Sequence, residues 1–261
     1  MSRQNYYKRR RQREKQLVDE EFILSLVRRE RSLQPRLGVR KLWTMLSPEL
    51  KSAGVCIGRD RLFALLSRHG LLIERHRRRV RTTDSRHGFR FYGNLLREVE
   101  LTAPHQAWVS DITYIRTDEG FMYLSLVMDA YSRAVVGYDC SDRLEADGAL
   151  RSLSQALKQL PPGSRTIHHS DRGIQYCCGR YIDRLQGRGL RISMTELNHC
   201  YENGKAERLN GILKEEYGLG GCYLSKADAR RAVREAVELY NNRRPHQSLG
   251  YRCPMAVHSA A

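Results

Sequence analysis

No CxxC pair occurs in this chain, and its seven cysteines (Cys56, Cys140, Cys177, Cys178, Cys200, Cys222, Cys253) are an odd, scattered set. Such a set makes a poor disulfide framework, so the thiols are read as reduced. His168, His169, Cys177 and Cys178 match no usual zinc-ligand spacing. No apolar run approaches the length of a membrane span, and no apolar signal region follows the polar start, which excludes a membrane protein and predicts a cytoplasmic one. Internal repeats and low-complexity tracts are also missing. What is left is an ordinary globular composition, 41% hydrophobic over 261 residues, enough for one sizeable core and a smaller module.

Acidic residues are scarce in the first part of the chain. Residues 1–100 hold 25 Lys and Arg against 11 Asp and Glu, whereas the remainder is nearly balanced, so the net charge of +17 is concentrated towards the N-terminus. This distribution points to a polyanionic partner. Nucleic acid is favoured over a bilayer because the basic segments lack a Trp- and Phe-rich face.

Residues 1–16, with Lys8, Arg9, Arg10 and Arg11 as the densest run, are expected to form a flexible basic arm. Residues 17–74 read as three short helices, Leu17–Arg31, Val39–Leu46 and Ile57–Gly70, stopped by Pro35, the turn at Ser52-Ala53-Gly54, and Gly70. The last helix carries Arg59, Arg61 and Arg68, which describes a helix-turn-helix module that binds DNA. Residues 75–103 form a basic linker in which Arg77, Arg78 and Arg79 are expected to track phosphates without sequence preference.

Near Ala103-Pro104 the pattern changes to strands. Trp108–Arg116, Phe121–Met128 and Ala134–Tyr138 form one run of three. A helix (Leu144–Leu160), a strand (Thr166–His169), a helix (Cys178–Gln186) and a strand (Arg191–Met194) follow. This order predicts an α/β fold, a mixed five-stranded sheet flanked by helices. From Asn203 to Tyr217, Ala206, Leu209, Leu213 and Tyr217 give a helix an apolar stripe, beside a polar stripe of Asn203, Glu207, Asn210 and Lys214. Residues 221–261 hold a last helix, Lys226–Asn242 with Ser225 as its cap, and a tail.

Asp111 sits mid-strand, Asp171 at a strand end, and Glu207 on the later helix with 35 residues between it and Asp171. Clustered carboxylates cannot all remain ionised in a dry site without cations. Oxygen ligands favour Mg²⁺ or Mn²⁺, and two such ions suit an in-line phosphoryl displacement. On a DNA-seeking chain the phosphate is a backbone phosphodiester.

The segments Trp108-Val109-Ser110-Asp111-Ile112-Thr113-Tyr114, Asp129-Ala130-Tyr131-Ser132-Arg133, His169-Ser170-Asp171-Arg172-Gly173 and Asn203-Gly204-Lys205-Ala206-Glu207-Arg208 together resemble the core of retroviral-integrase-type transposases. With the tail Tyr240-Asn241-Asn242-Arg243-Arg244-Pro245-His246, they are most similar to the second-reading-frame product of IS-three family insertion sequences. The resemblance implies that residues 104–220 are an RNase-H-like integrase catalytic core behind an all-α helix-turn-helix region. It also implies a catalytic, metal-binding triad of Asp111, Asp171 and Glu207, with two Mg²⁺ or Mn²⁺ ions as cofactors. The implied activity is that of a DNA transposase cleaving one strand at each element end and joining the freed 3′-hydroxyl to DNA. Lys214, Lys205 and Arg208 are expected DNA contacts. Expected partners are double-stranded element ends and target DNA, a homo-oligomer on that DNA, and the first-reading-frame protein, all in a bacterial, nucleoid-associated setting. A non-catalytic DNA-binding modulator and an RNase-H-like nuclease are the alternatives.

Overall fold

Apolar residues recurring every three or four positions build three N-terminal helices, α1 (Arg3–Leu33), α2 (Val39–Ser52) and α3 (Arg59–Arg68). In this computed structural model, which describes residues 3–74, 89–97, 99–196 and 203–260, the three share one core containing Leu24, Val27, Leu42, Leu46, Leu62 and Leu66. The Trp43 indole donates to the Ile57 carbonyl at 3.0 Å and ties α2 to the turn before α3. Residues 3–16, expected as a flexible arm, instead continue α1. Gln, Arg, Lys and Glu are good helix formers, and Arg10 pairs with Glu14 one turn on at 3.0 Å. That first half buries nothing. Leu17 and Val18, at the start of the expected first helix, are exposed, and the buried positions of α1 begin at Ile23. α2 also outruns its expected end at Leu46 because Leu50, beyond Pro48, is buried and anchors one more turn.

The second compact unit contains the sheet. β1 (Ala107–Thr117), β2 (Gly120–Asp129) and β3 (Val135–Ser141) form an antiparallel meander, and β4 (Ile167–Ser170) and β5 (Arg191–Met194) run parallel to β1. The order is β3-β2-β1-β4-β5, with a short β6 (Cys222–Tyr223) pairing the far end of β1 at Arg116 and Thr117. Side chains alternate across β1. Trp108 enters the core on one face with α4 (Ala146–Gln159), α5 (Ile174–Cys177) and α6 (Gly179–Gln186). Val109 and Ile115 enter the core on the other face with α7 (Gly204–Glu216) and α8 (Lys226–Asn242). Gly137 permits the closest helix-to-sheet approach, since a Cβ there would lie 2.0 Å from the Ser152 carbonyl oxygen of α4.

Two segments expected outside the catalytic core are part of this unit. Within the expected linker, the Leu95 amide donates to Ser193 Oγ at 2.9 Å, and Leu96 and Leu101 pack on the sheet. Arg77, Arg78 and Arg79 lie outside the described residues. The C-terminal helix is likewise integral, because Ala229, Val233 and Tyr240 of α8 belong to the same core as β1 and α7. Ser225 caps α8 by accepting from the Asp228 amide at 3.1 Å. The tail motif works as a clasp. Asn241 brackets Val135, accepting from its amide and donating to its carbonyl, both at 2.9 Å. Arg244 grips Glu216 with two bonds of 2.8 and 2.9 Å, and a short helix α9 (Pro254–His258) follows.

Candidate active site

Strand alternation puts Asp111 on the same face of β1 as Val109 and Ile115, the face covered by α7. Two asparagines of the polar stripe tie that helix to the strand. Asn203 Nδ2 donates to the Ser110 carbonyl at 3.0 Å, and Asn210 Nδ2 donates to Asp111 Oδ2 at 2.7 Å. Glu207 lies one turn from each of them; it is exposed, and its charge reaches Asp111. Asp171 follows Ser170, which pairs with Ser110 across the parallel β1–β4 ladder. Its Oδ1 accepts the Gly173 amide at 3.0 Å, and a Cβ on Gly173 would sit only 3.0 Å from that oxygen.

The three carboxylates therefore share one electrostatic neighbourhood. The Asp111 carboxyl is pushed up to about 7, first by burial and next by the charge of Asp171, with Glu207 adding to the rise. The Asn210 amide and the Ile112 N–H, 2.9 Å from Oδ1, oppose it by favouring the ionised form. Among the described residues no group of three or more His, Cys, Asp or Glu converges closely enough to hold a metal ion as it stands. The donor chemistry of the trio is nevertheless oxygen-only and anionic, the set that hard divalent cations prefer.

Lys214, two turns after Glu207, holds its ammonium 4.3 Å from the centre of the Tyr114 ring. Burial pulls its pKa down, while Asp111 pulls it up and Arg116 down. Lys205 diverges from this group, because its Nζ lies 3.4 Å from the Ala130 carbonyl and senses Arg133 and Asp129 rather than Asp111. Arg208 is exposed. On α3, Arg59, Arg61 and Arg68 are all exposed; Arg59 pairs with Asp60 and Arg68 with Glu20, both at 2.9 Å.

The neighbouring titratable groups have structural partners. Asp129 is fully buried and braces the β2–β3 turn, accepting from the Ser132 amide and hydroxyl at 2.7 and 2.8 Å and from the His105 amide at 2.7 Å. His168 Nε2 meets Ser110 Oγ at 2.8 Å and the Tyr181 hydroxyl at 2.9 Å, and burial pushes its pKa down to about 3. His169 Nδ1 meets Ser193 Oγ at 2.8 Å. Glu216 is engaged by Arg244, Glu215 is exposed, and Glu202 lies outside the described residues. Sequence reasoning gave Asn203 and Asn210 no role in the site. Their signal was the shared stripe with Glu207 and Lys214.

Comparison with known proteins gives this geometry a family. Two models, both described as an integrase core domain, match residues 102–200 and 188–254. The insertion element IS600 uncharacterized 31 kDa protein of Shigella sonnei is 36% identical over 84% of this chain and 80% of its own length. Transposase InsF for insertion sequence IS3A of Escherichia coli (strain K12) is 36% identical over 80% of this chain and 73% of its own. A chain in the cryo-electron microscopy structure of the simian T-cell lymphotropic virus intasome, in complex with PP2A regulatory subunit B56 gamma, shares the fold. Its TM-score is 0.52, at 18% identity, covering 85% of this chain and 74% of that one. The sheet order, the flanking helices and the similarity to relatives along most of its length agree, and the chain belongs to the IS3-family insertion-sequence transposases with an integrase core domain.

Proposed function

We propose that this protein is a divalent-metal-dependent DNA transposase in which Asp111, Asp171 and Glu207 carry the chemistry. The observation that supports this most is the Asp111 carboxyl, raised to about 7 in the shared field of Asp171 and Glu207. A carboxylate in such a field takes up either a proton or a cation, and at neutral pH a hard divalent ion competes well for it. Uncompensated carboxylates repel one another, so their closer approach depends on that positive charge. The three would hold Mg²⁺ or Mn²⁺, two ions between them, supplying activation of the attacking oxygen and stabilisation of the leaving one.

The chain's own residues orient and bind. Asn210 fixes Asp111, the Gly173 amide fixes Asp171, and Lys214 offers a cation to a phosphate on the same side. The basic helical unit adds affinity for duplex DNA. The reaction is cleavage of one strand at an element end, followed by attack of the freed 3′-hydroxyl on DNA. Joining two ends requires that they be held together, which a homo-oligomer on DNA provides.

The test substitutes Asp111→Asn, Asp171→Asn and Glu207→Gln separately and measures strand cleavage and joining on element-end DNA with Mg²⁺ or Mn²⁺. Each should lose about 10³-fold or more, the equivalent of several kcal/mol of transition-state stabilisation. Full activity in any variant removes that residue from the mechanism. Cleavage by the wild type without joined products would make it a nuclease instead.

A further inference from the structure

A cavity of about 550 Å³ opens beside the β2–β3 turn, between Tyr131 and Arg133 of that turn, Lys205 at the start of α7, and Ser248, Leu249 and Arg252 of the tail. It draws on none of the three carboxylates. Lys205 precedes Glu207 by two residues, about 200° around the helix, so the cavity and the carboxylates lie on different sides of α7.

Three cations meet at this cavity, and among the described residues no carboxylate forms an ion pair with any of them. Asp129 is the nearest acid, but its oxygens already accept four bonds, from the Tyr131 amide, the Ser132 amide and hydroxyl, and the His105 amide. The Arg133 guanidinium makes no hydrogen bond among the described residues and loses proton affinity chiefly through burial. Arg252 uses only its Nε, towards the Leu249 carbonyl at 3.3 Å, which leaves both terminal nitrogens to donate. Lys205 is destabilised as a cation by burial and then by Arg133, which Asp129 offsets only in part. An anion seated here relieves the repulsion of Lys205 by Arg133, and guanidinium donors match phosphate oxygens in pairs.

The backbone supports the same reading. Arg133, which lines the cavity, and Tyr251, between the lining residues Gly250 and Arg252, are non-glycine residues held in the left-handed region, with φ of 65° and 62°. Strained positions of this type cluster at ligand clamps. Neighbouring structure holds both positions, since the Tyr240 hydroxyl donates to the Arg133 carbonyl at 3.0 Å and the Tyr251 amide donates to the His246 carbonyl at 2.9 Å.

We propose that Arg133, Lys205 and Arg252 form a seat for a backbone phosphate of DNA, separate from the carboxylate site and gripping the strand on the far side of α7. The proposal rests on the chain acting on DNA, not on its chemistry. It is tested by the salt dependence of full-length protein binding to a mixed-sequence duplex, measured by fluorescence anisotropy for Arg133→Gln, Arg252→Gln and their Lys counterparts. Each Gln variant should flatten the slope of log affinity against log salt by about 0.9 per lost phosphate contact, with the Lys variants close to wild type. Ser248→benzoylphenylalanine, an exposed position on the rim, should photo-crosslink to the duplex. Unchanged slopes in folded Gln variants, or no crosslink should the Gln variants fail to fold, overturn the seat while leaving the transposase reading intact. Salt-dependent loss in the Gln variants of a wild type that neither cuts nor joins keeps the seat and defeats that reading. A wild type that binds no DNA defeats both.

Discussion

The Asn210 side-chain amide donates to Asp111 Oδ2 at 2.7 Å, joining residues 99 positions apart in the chain and clamping α7 onto the central strand of the site. That bond favours the ionised carboxylate and holds its pKa below the value that burial and Asp171 would otherwise set. In Asn210→Ala the opposing effect is gone, so the Asp111 carboxyl should rise further. The acid limb of the strand-joining pH profile should move up by about one unit, since a hydrogen bond to a charged group contributes roughly 1.5–3 kcal/mol and one unit is about 1.4. Activity at pH 7 should drop about fivefold, approach a tenfold loss at lower pH, and recover at higher pH. A loss equal at every pH would mean that Asn210 only holds the helix in place.

Proton linkage at Asp111 also affects folding. Its carboxyl titrates near 7 when folded against an ordinary 3.8, so between those values the folded chain binds more protons than the unfolded one. Stability from this group is therefore present at low pH and declines as pH rises from about 4 to about 7, then levels. Asp111→Asn has no such decline. In chelator-treated buffer, the melting temperature of the Asn variant should gain on the wild type across that window, and Mg²⁺ should restore the wild type above pH 7. Parallel curves would assign Asp111 an ordinary pKa.

Glu216 and Glu207 lie nine residues apart on one helix and should fail in opposite ways. Arg244 and Glu216 have side chains only 3% and 16% exposed and form a two-bond pair. Removing one partner of such a pair leaves a buried charge and costs about 3–5 kcal/mol. Glu216→Gln and Arg244→Ala should lose stability in urea melts and lose activity only to the extent that they unfold. Glu207→Gln should melt like the wild type and be inactive. An inactive but fully stable Glu216→Gln would instead place Glu216 in the chemistry.

What could be read ahead of the structure follows from periodicity. Alternation along Trp108–Arg116 put Asp111 on one face with Val109, and the three-four spacing of Ala206, Leu209 and Leu213 marked the buried side of α7. Both signals are local. The Asn210–Asp111 bond, the Arg244–Glu216 pair and the bracketing of Val135 by Asn241 link residues 99, 28 and 106 apart, and no pattern along the chain encodes them. β6 escaped because two residues carry no period, and its pairing with β1 depends on where the loop after α7 returns. Residues 3–16 misled in the other direction. Their charge suggested a flexible arm, yet helix propensity alone continues α1 there, with nothing buried.

The arginines of α3 should not contribute equally to DNA binding. Arg68 is held by Glu20 of α1 and Arg59 by Asp60, so a phosphate must compete with a carboxylate for each. Arg61 is exposed and has no carboxylate partner among the described residues. Its guanidinium meets DNA without first breaking an ion pair. Arg61→Ala should therefore weaken binding most and flatten the salt slope by about 0.9, while Arg68→Ala and Arg59→Ala fall short of that. The complementary changes are sharper. Glu20→Gln and Asp60→Asn should each tighten binding by removing the carboxylate that competes with phosphate for Arg68 and Arg59, at little stability cost because both pairs are at the surface. Anisotropy titrations of the five variants at several salt concentrations check this ordering. Equal losses for the three alanine variants, with no gain on removing Asp60 or Glu20, would mean that α3 does not present this face to DNA.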